Sequence, residues 1–557
     1  MTANLRSGGR ILVDNLLAQG CDRIFTVPGE SFLAVLDALH DTPAIDLVVC
    51  RQEGGVAYMA EADGKLTGRP GIAFVTRGPG ATNASIGVHT AFQDSTPMIL
   101  FVGDVARGDR DREGFQEVDF AAMFRPLAKW AARIDDAARI PEYVARAYAT
   151  AMSGRPGPVV LALPEDMLRD EVEATDRPRV APPVQTPDPM AVATLVDLLR
   201  NACAPVAIVG GGGWDAAASH YFAEFAERVG LPVACAFRRQ DAIPSASPVY
   251  AGNLGYGPNP KLQQRIRDAD LLLVVGPRLG EATTDGYTLV TPDHPDQTLV
   301  HVHPDPGELN RVYKTCLPIC ADMREFAELL STWEDDILSF STGAEAHAEW
   351  LAWSEPQPQP SGAALDLGLC VKALREALPA DTMICNGAGN FSGWFHRYWR
   401  YGPFPTQLAP TNGSMGYGVP AAVAASLRHP GRAVLAPAGD GDFLMNGQEI
   451  ATAIRHGAEM LVLVIDNGSY GTIRMHQERD YPARVAGTDL ANPDFAALAR
   501  AYGAWAETVE TTEAFGPALA QALEQNGVRL LHLKTDIEQI SNATTITRLR
   551  ERARRHG

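Results

Sequence analysis

The chain has 557 residues, 46% of them hydrophobic and 21% charged, the balance of a folded globular protein and not of a disordered one. The 67 acidic and 48 basic side chains leave a formal charge of −19, so neither nucleic acid nor an anionic membrane surface is an expected partner. The length suits three domains.

The chain opens Met-Thr-Ala-Asn-Leu-Arg, without the apolar core of a signal peptide, and no apolar run approaches the ~20 residues needed to cross a bilayer. Eight cysteines (Cys21, Cys50, Cys203, Cys235, Cys316, Cys320, Cys370, Cys385) are scattered. The close pair Cys316 and Cys320 lacks partners at zinc-ligand spacing, so reduced thiols in a cytoplasmic protein are expected. Two proline clusters (Pro178, Pro182, Pro183, Pro187, Pro189; then Pro356, Pro358, Pro360) resist helix and sheet. They divide the chain into expected domains 1–170, 190–345 and 362–545.

In chain order, buried strands are expected at 47–50, 72–76, 98–102 and 159–163, with a helix over 55–66. The middle segment offers 206–209, 232–236, 271–275 and 299–302; the last offers 383–385, 433–436, 460–465 and 530–533. Continuous apolar strands spaced by helices predict an α/β protein of three doubly wound parallel sheets.

The most informative stretch begins at Val434 and runs Val-Leu-Ala-Pro-Ala-Gly439-Asp440-Gly441-Asp442. A helical stretch over 449–456 follows, then a strand ending in Asp466-Asn467. Strand, glycine turn, helix and strand bring Asp440 and Asn467 out at one edge of a parallel sheet. A carboxylate, a carboxamide and a nearby carbonyl are hard oxygen ligands that suit Mg²⁺ sharing phosphate oxygens. Gly439 and Gly441 let backbone approach a diphosphate closely, although Gly-Asp-Gly by itself is also a common turn.

Gly439-Asp440-Gly441, followed about 27 residues later by Asp466-Asn467, resembles the thiamine-diphosphate enzyme signature, usually Gly-Asp-Gly to Asn-Asn. Asp466 replaces the first Asn; Asn467 keeps the second. The resemblance spans the chain and is strongest to acetolactate-synthase-like members. It implies pyrimidine-binding, central and diphosphate-binding domains in that order. It also implies Mg²⁺ on Asp440, Asn467 and the Ser469 carbonyl, and Glu53 as the catalytic glutamate against N1′ of the aminopyrimidine. On position alone, Glu53 is equally an exposed strand-end residue. Gly78-Pro79-Gly80-Ala81-Thr82-Asn83 and Gly114-Phe115-Gln116-Glu117 resemble segments lining the cofactor pocket, the first being also a plain turn before a helix. Met415 matches the apolar residue that props the cofactor in its bent form, or is an ordinary core Met. The resemblance gives Gly29 and Gln116 catalytic parts, and gives cofactor contacts to Pro79, Asn83, Asn390, Met415, Gly439, Gly441, Asp442, Thr472 and Ile473.

Arg474 and His476 are candidates for a 2-oxo acid carboxylate or an acceptor, a solvated helix face being the alternative. Arg548, Arg550, Arg552, Arg554 and Arg555 either complement a helix C-terminus or clamp an anionic acyl-CoA. In the middle segment, Gly210-Gly211-Gly212-Gly213 follows a strand but lacks the full dinucleotide fingerprint and its acidic partner. Gly252-Asn-Leu-Gly255 and Gly276-Pro-Arg278 stand where biosynthetic acetolactate synthases hold FAD. Their neighbours depart from that pattern, as does Glu165 where Lys is usual, so a centre without FAD is preferred. His89 has no second His beside it as simple decarboxylases do, and Glu53 is retained where glyoxylate carboligase lacks the glutamate. The expected reaction is decarboxylation of a 2-oxo acid with carboligation to a second carbonyl, in a homodimer or homotetramer. The alternatives are a 2-hydroxyacyl-CoA or 2-hydroxy-ketone lyase, an NAD-type oxidoreductase, and a non-catalytic binding protein.

Overall fold

The computed structural model describes residues 5–333, 338–357 and 362–556. Pro358 and Pro360 of the second proline cluster lie outside the described residues, as do residues 1–4 of the amino-terminal reading. The chain forms two compact units. One comprises Met1–Pro183, Val423–Arg428 and Asn446–Gly457; the other comprises Val184–Ala422, His429–Met445 and Ala458–Gly557.

The first unit is built on six parallel strands in the spatial order Asp46–Val49, Arg23–Thr26, Gly71–Val75, Met98–Asp104, Pro158–Pro164, Trp130–Arg133. Every residue of Met98–Asp104 and Pro158–Pro164 is buried, as expected for strands covered on both faces. Phe74 and Phe101 stack across neighbouring strands with centroids 4.6 Å apart. Numbered along the chain, the order is 2-1-3-4-6-5. It reverses between Arg23–Thr26 and Gly71–Val75, where ligand crevices open in such sheets. Helices Glu53–Thr67 and Gly78–Asp94 cross at Ala57 and Gly87, so tightly that a Cβ on Gly87 would lie 2.4 Å from that of Ala57. Within the same unit, Arg428 forks onto Asp63 and Asp22, each at 2.8 Å.

The second unit holds two more six-stranded parallel sheets. One runs Tyr250–Asn253, Val233–Cys235, Pro205–Val209, Leu271–Val275, Thr298–His303, Leu317–Cys320, an order of 3-2-1-4-5-6. The other runs Gln407–Leu408, Met383–Cys385, Val434–Gly439, Met460–Asp466, Val528–Lys534, Trp505–Val509. Its order, 2-1-3-4-6-5, repeats that of the first unit. Asp241, fully buried, fastens its edge strand by accepting the Thr406 and Gln407 N–H at 2.8 and 2.9 Å.

The twelve expected strands all occur, shifted by at most a few residues at their ends. Within the three six-stranded sheets six more were not expected: Arg23–Thr26, Trp130–Arg133, Tyr250–Asn253, Leu317–Cys320, Gln407–Leu408 and Trp505–Val509. All but Arg23–Thr26 are edge strands. An edge strand packs less completely and carries polar residues, so it lacks the unbroken apolar run of an inner strand. Trp130–Arg133, with no fully buried residue, is an example. The first proline cluster stays free of helix and strand until Pro189 starts the helix Pro189–Asn201. There Gln19 donates to the Pro178 carbonyl at 3.0 Å and accepts the Val180 N–H at 2.8 Å. Among the described residues no helix is long and apolar enough to cross a membrane.

Gly87→Ala should wedge apart the helices that carry Glu53 and Asn83. Overpacking of this kind costs about 1–3 kcal/mol, to be read as a lowered urea midpoint at unchanged slope.

Candidate active site

In the first unit the candidate residues gather at the C-terminal edge of the sheet. Glu53 is the first residue of its helix, two positions after Arg51 turns off the strand end. The Gln52 side chain caps that helix, accepting the Gly54 and Gly55 N–H at 2.6 and 3.2 Å, the usual answer to orphan first-turn donors. Asn83 donates from its Nδ2 to Glu53 Oε2 at 2.9 Å, so two candidates drawn from different helices meet directly. Gly29 follows the neighbouring strand in extended conformation, and a Cβ there would lie 2.4 Å from Cβ of Thr76. Pro79 occupies the first turn of Gly78–Asp94. Gln116 has φ +64°, and its carbonyl accepts the Gly78 N–H at 3.0 Å. The Gln116 loop is pinned again by Arg77, which donates to the Phe115 carbonyl at 3.3 Å and ion-pairs with Glu165. That pair gives the departure at Glu165 a local role.

In the second unit, strands Val434–Gly439 and Met460–Asp466 are neighbours, with Gly439 opposite Ile465. Asp440 follows Gly439 directly and Asn467 lies two residues past Ile465, so both leave the sheet at the same edge. Both side chains reach one amide: the Ser469 N–H donates to Asp440 Oδ2 at 3.2 Å and to Asn467 Oδ1 at 3.1 Å. Two of the candidate ligand oxygens, Asp440 Oδ2 and Asn467 Oδ1, thus meet at one point; such hard oxygens suit a divalent cation. Burial holds the Asp440 carboxyl up at about 6, against a hydrogen bond from Asn492.

Asp466, the departure from the signature, is built into this centre. Its carboxylate accepts from His532 Nε2 at 2.9 Å, Lys534 Nζ at 2.6 Å, Asn492 Nδ2 at 2.8 Å and the Gly468 N–H at 3.0 Å. Burial opposes its charge, but those bonds outweigh it and hold the carboxyl far below the usual range. The Asn492 amide also donates to Asp440 at 2.7 Å, bridging the two carboxylates. Asn492, His532 and Lys534 carry no spacing signal and were not singled out from sequence.

The remaining candidates divide. Asn390 Oδ1 accepts from Thr472 Oγ1 at 3.0 Å, and its Nδ2 donates to the Ile540 carbonyl at 2.8 Å. Asp442 is buried and spends its carboxylate on protein: it accepts the Gly416 and Ala388 N–H at 2.8 and 3.2 Å, fixing the turn beside Met415. Burial pushes its carboxyl to about 7 despite both bonds. Gly439 and Gly441 are confined by rings, with added Cβ atoms 3.0 Å from Phe391 and 2.6 Å from Tyr470. Ile473 and His476 are exposed on the helix Gly471–Asp480. Arg474 is not a free cation: it donates to Glu478 at 2.9 Å. Glu478, fully buried, also takes two bonds from Arg550, at 2.6 and 2.7 Å, which docks the C-terminal helix Ile546–His556.

Glu478 gives a pH prediction. The Arg550 bonds, against burial, hold its carboxyl down at about 2, whereas an unfolded Glu titrates near ~4.3. Its contribution is therefore complete above ~4.3 and is lost as pH falls through about 2. Hydrogen exchange in Ile546–His556 should stay slow at about pH 4 and quicken near pH 2. Glu478→Gln should quicken it already at neutral pH.

Three domain descriptions match the chain: thiamine pyrophosphate enzyme, N-terminal TPP binding domain, over residues 6–123; the central domain, over 192–330; and the C-terminal TPP binding domain, over 387–533. The acetolactate synthase large subunit of Parasynechococcus marenigrum (strain WH8102) is 31% identical over 93% of this chain and 86% of its own length. That of Corynebacterium glutamicum is 30% identical over 93% and 85%. The acetolactate synthase isozyme 3 large subunit of Escherichia coli (strain K12) is 30% identical over 93% and 92%. With its three parallel sheets and the Asp440, Asn467 and Ser469 cluster, the chain belongs to the thiamine pyrophosphate enzyme family.

Proposed function

We propose that the protein decarboxylates a 2-oxo acid and joins the remaining fragment to a second carbonyl, as the names of its acetolactate synthase relatives suggest. The observation that carries the reading is the meeting of Asp440 and Asn467 on the Ser469 amide. This donor set fits Mg²⁺, and we assign Asp440, Asn467 and the Ser469 carbonyl as the residues that would hold it against a diphosphate. Thiamine diphosphate, when bound there, would supply the chemistry by which a 2-oxo acid loses CO₂ and its remaining fragment passes to a second carbonyl.

The chain's own residues orient and move protons. Glu53 holds a proton at N1′ of the aminopyrimidine, and the Asn83 amide fixes the carboxylate that does so. Met415, in the turn that Asp442 secures, props the cofactor. On the same reading Gly29 and Gln116 take part in catalysis, and Pro79, Asn390, Thr472 and Ile473 contact the cofactor. Arg474, being spent on Glu478, is a weaker substrate contact than the exposed His476. The pyrimidine-binding, central and diphosphate-binding domains are taken as 1–170, 190–345 and 362–545. The three sheets support this division, since each lies within one of these spans. We take the active form as a homodimer or homotetramer in the cytoplasm, with Glu53 of one subunit serving the diphosphate site of another.

For the central domain a centre without FAD is preferred to one that holds it. Its sheet order reverses between Pro205–Val209 and Leu271–Val275, where a dinucleotide would sit. A Cβ on Gly276 there would lie 2.3 Å from the Gly210 carbonyl and 2.9 Å from both Trp214 Nε1 and Met323 Sδ. Trp214 donates to the Gly210 carbonyl at 2.6 Å, so this glycine turn is closely packed.

Three measurements test the reading. Asp440→Ala should lose tight binding in calorimetric titration with thiamine diphosphate and Mg²⁺; wild-type affinity would remove the metal assignment. Glu53→Gln should slow deuterium exchange at C2 of the bound cofactor by about 10²–10⁴-fold at full occupancy, the range for a lost general acid–base group. Glu53→Ala and Asp440→Ala subunits, each inactive alone, should recover activity when mixed as heterodimers. A substrate panel scored for CO₂ and ketol products then names donor and acceptor.

A further inference from the structure

Glu449 is fully buried, yet the groups that meet its carboxylate are not cations. The Arg51 N–H donates to both oxygens, at 3.1 and 3.2 Å; the Gln52 N–H donates at 3.0 Å and Thr452 Oγ1 at 2.5 Å. Burial pushes this carboxyl above its ordinary range despite those bonds, so the charge is kept at a cost. The partners of the carboxylate are the two peptide groups immediately before Glu53. All of these residues belong to the first unit.

We propose that Glu449 is a positioning residue for Glu53, clamping the strand-to-helix turn so that the Glu53 carboxylate is delivered in one place. This rests on the reading of Glu53 given above. Three features support it. The Gly54 and Gly55 N–H are already taken by Gln52, so two side chains, Glu449 and Gln52, divide four donors around the start of the helix. A Cβ on Gly55 would lie 2.6 Å from Glu449 Oε1, so the carboxylate is seated directly against bare backbone. Two turns along the same segment, His456 Nε2 accepts the Val49 N–H at 3.1 Å. Asp46–Val49 is an edge strand, whose outward N–H groups find no partner strand. The 446–457 segment supplies those partners and carries the turn on into Glu53.

A buried acid could simply glue this segment down, and the experiment separates glue from positioning. Glu449→Gln keeps shape but replaces an acceptor oxygen with an NH₂ that faces peptide N–H groups. Gly55→Ala keeps the carboxylate and pushes it aside. In both, with cofactor affinity and thermal midpoint close to wild type, C2 deuterium exchange should fall by about 10–100-fold, the scale of a displacement near 1 Å. In steady state kcat should fall with KM little changed. Glu53→Gln is run alongside. If it leaves exchange unaltered, the reading of Glu53 fails. If it slows exchange while Glu449→Gln at full occupancy matches wild type, only the positioning role fails. Loss of exchange that merely tracks loss of folding in both variants also overturns the proposal.

Discussion

Parallel pairing decides where everything else can be. Because neighbouring strands run the same way, their C-terminal ends share an edge, and residues remote in sequence emerge as neighbours. The register of Gly439 opposite Ile465 brings Asp440 beside Asn467 without any long side chain having to search for a partner. The same geometry sets Thr76 beside Gly29 in the first unit, at a contact only glycine allows. The sheets in question repeat the order 2-1-3-4-6-5, and in each the reversal borders the third strand, whose end leads to Thr76 in one and Asp440 in the other.

Parallel sheets solve the placement of strand ends but leave the loops beyond them with unpaired N–H groups. Three buried acids illustrate one answer. Asp241 takes the Thr406 and Gln407 N–H, Asp442 those of Ala388 and Gly416, and Glu449 those of Arg51 and Gln52. In each case burial raises the carboxyl above its ordinary range. An acid accepting two backbone N–H groups fixes a loop more rigidly than a neutral acceptor, since charge-assisted bonds are the stronger ones. Asp466 obeys the opposite logic, being paired with Lys534 and His532 and so held ionised.

Most inner strands, being continuous apolar runs, were legible in the sequence; the edge strand Trp505–Val509 was not, because partial burial leaves no apolar run to read, and Gln407–Leu408, though buried, is only two residues long. The signature around Asp440 and Asn467 was legible because adjacent parallel strands translate fixed spacing into proximity. Glu53 and Asn83 were legible only through resemblance to a family, and their direct bond is a fact of helix crossing that no local pattern encodes. Asn492 and Glu449 were invisible for the same reason: their partners lie elsewhere in the chain and their neighbours look ordinary. Arg474 and Arg550 looked like available cations, since the glutamate that occupies both sits inside a polar helix with no mark of burial.

The seat of Glu449 against Gly55 makes a fitted pair of two positions far apart in sequence. A methyl added at 55 presses on the acid at 449, and an acid shortened to make room loses its reach to Arg51 and Gln52 unless the backbone follows. Substitutions at the two sites are therefore expected to be non-additive.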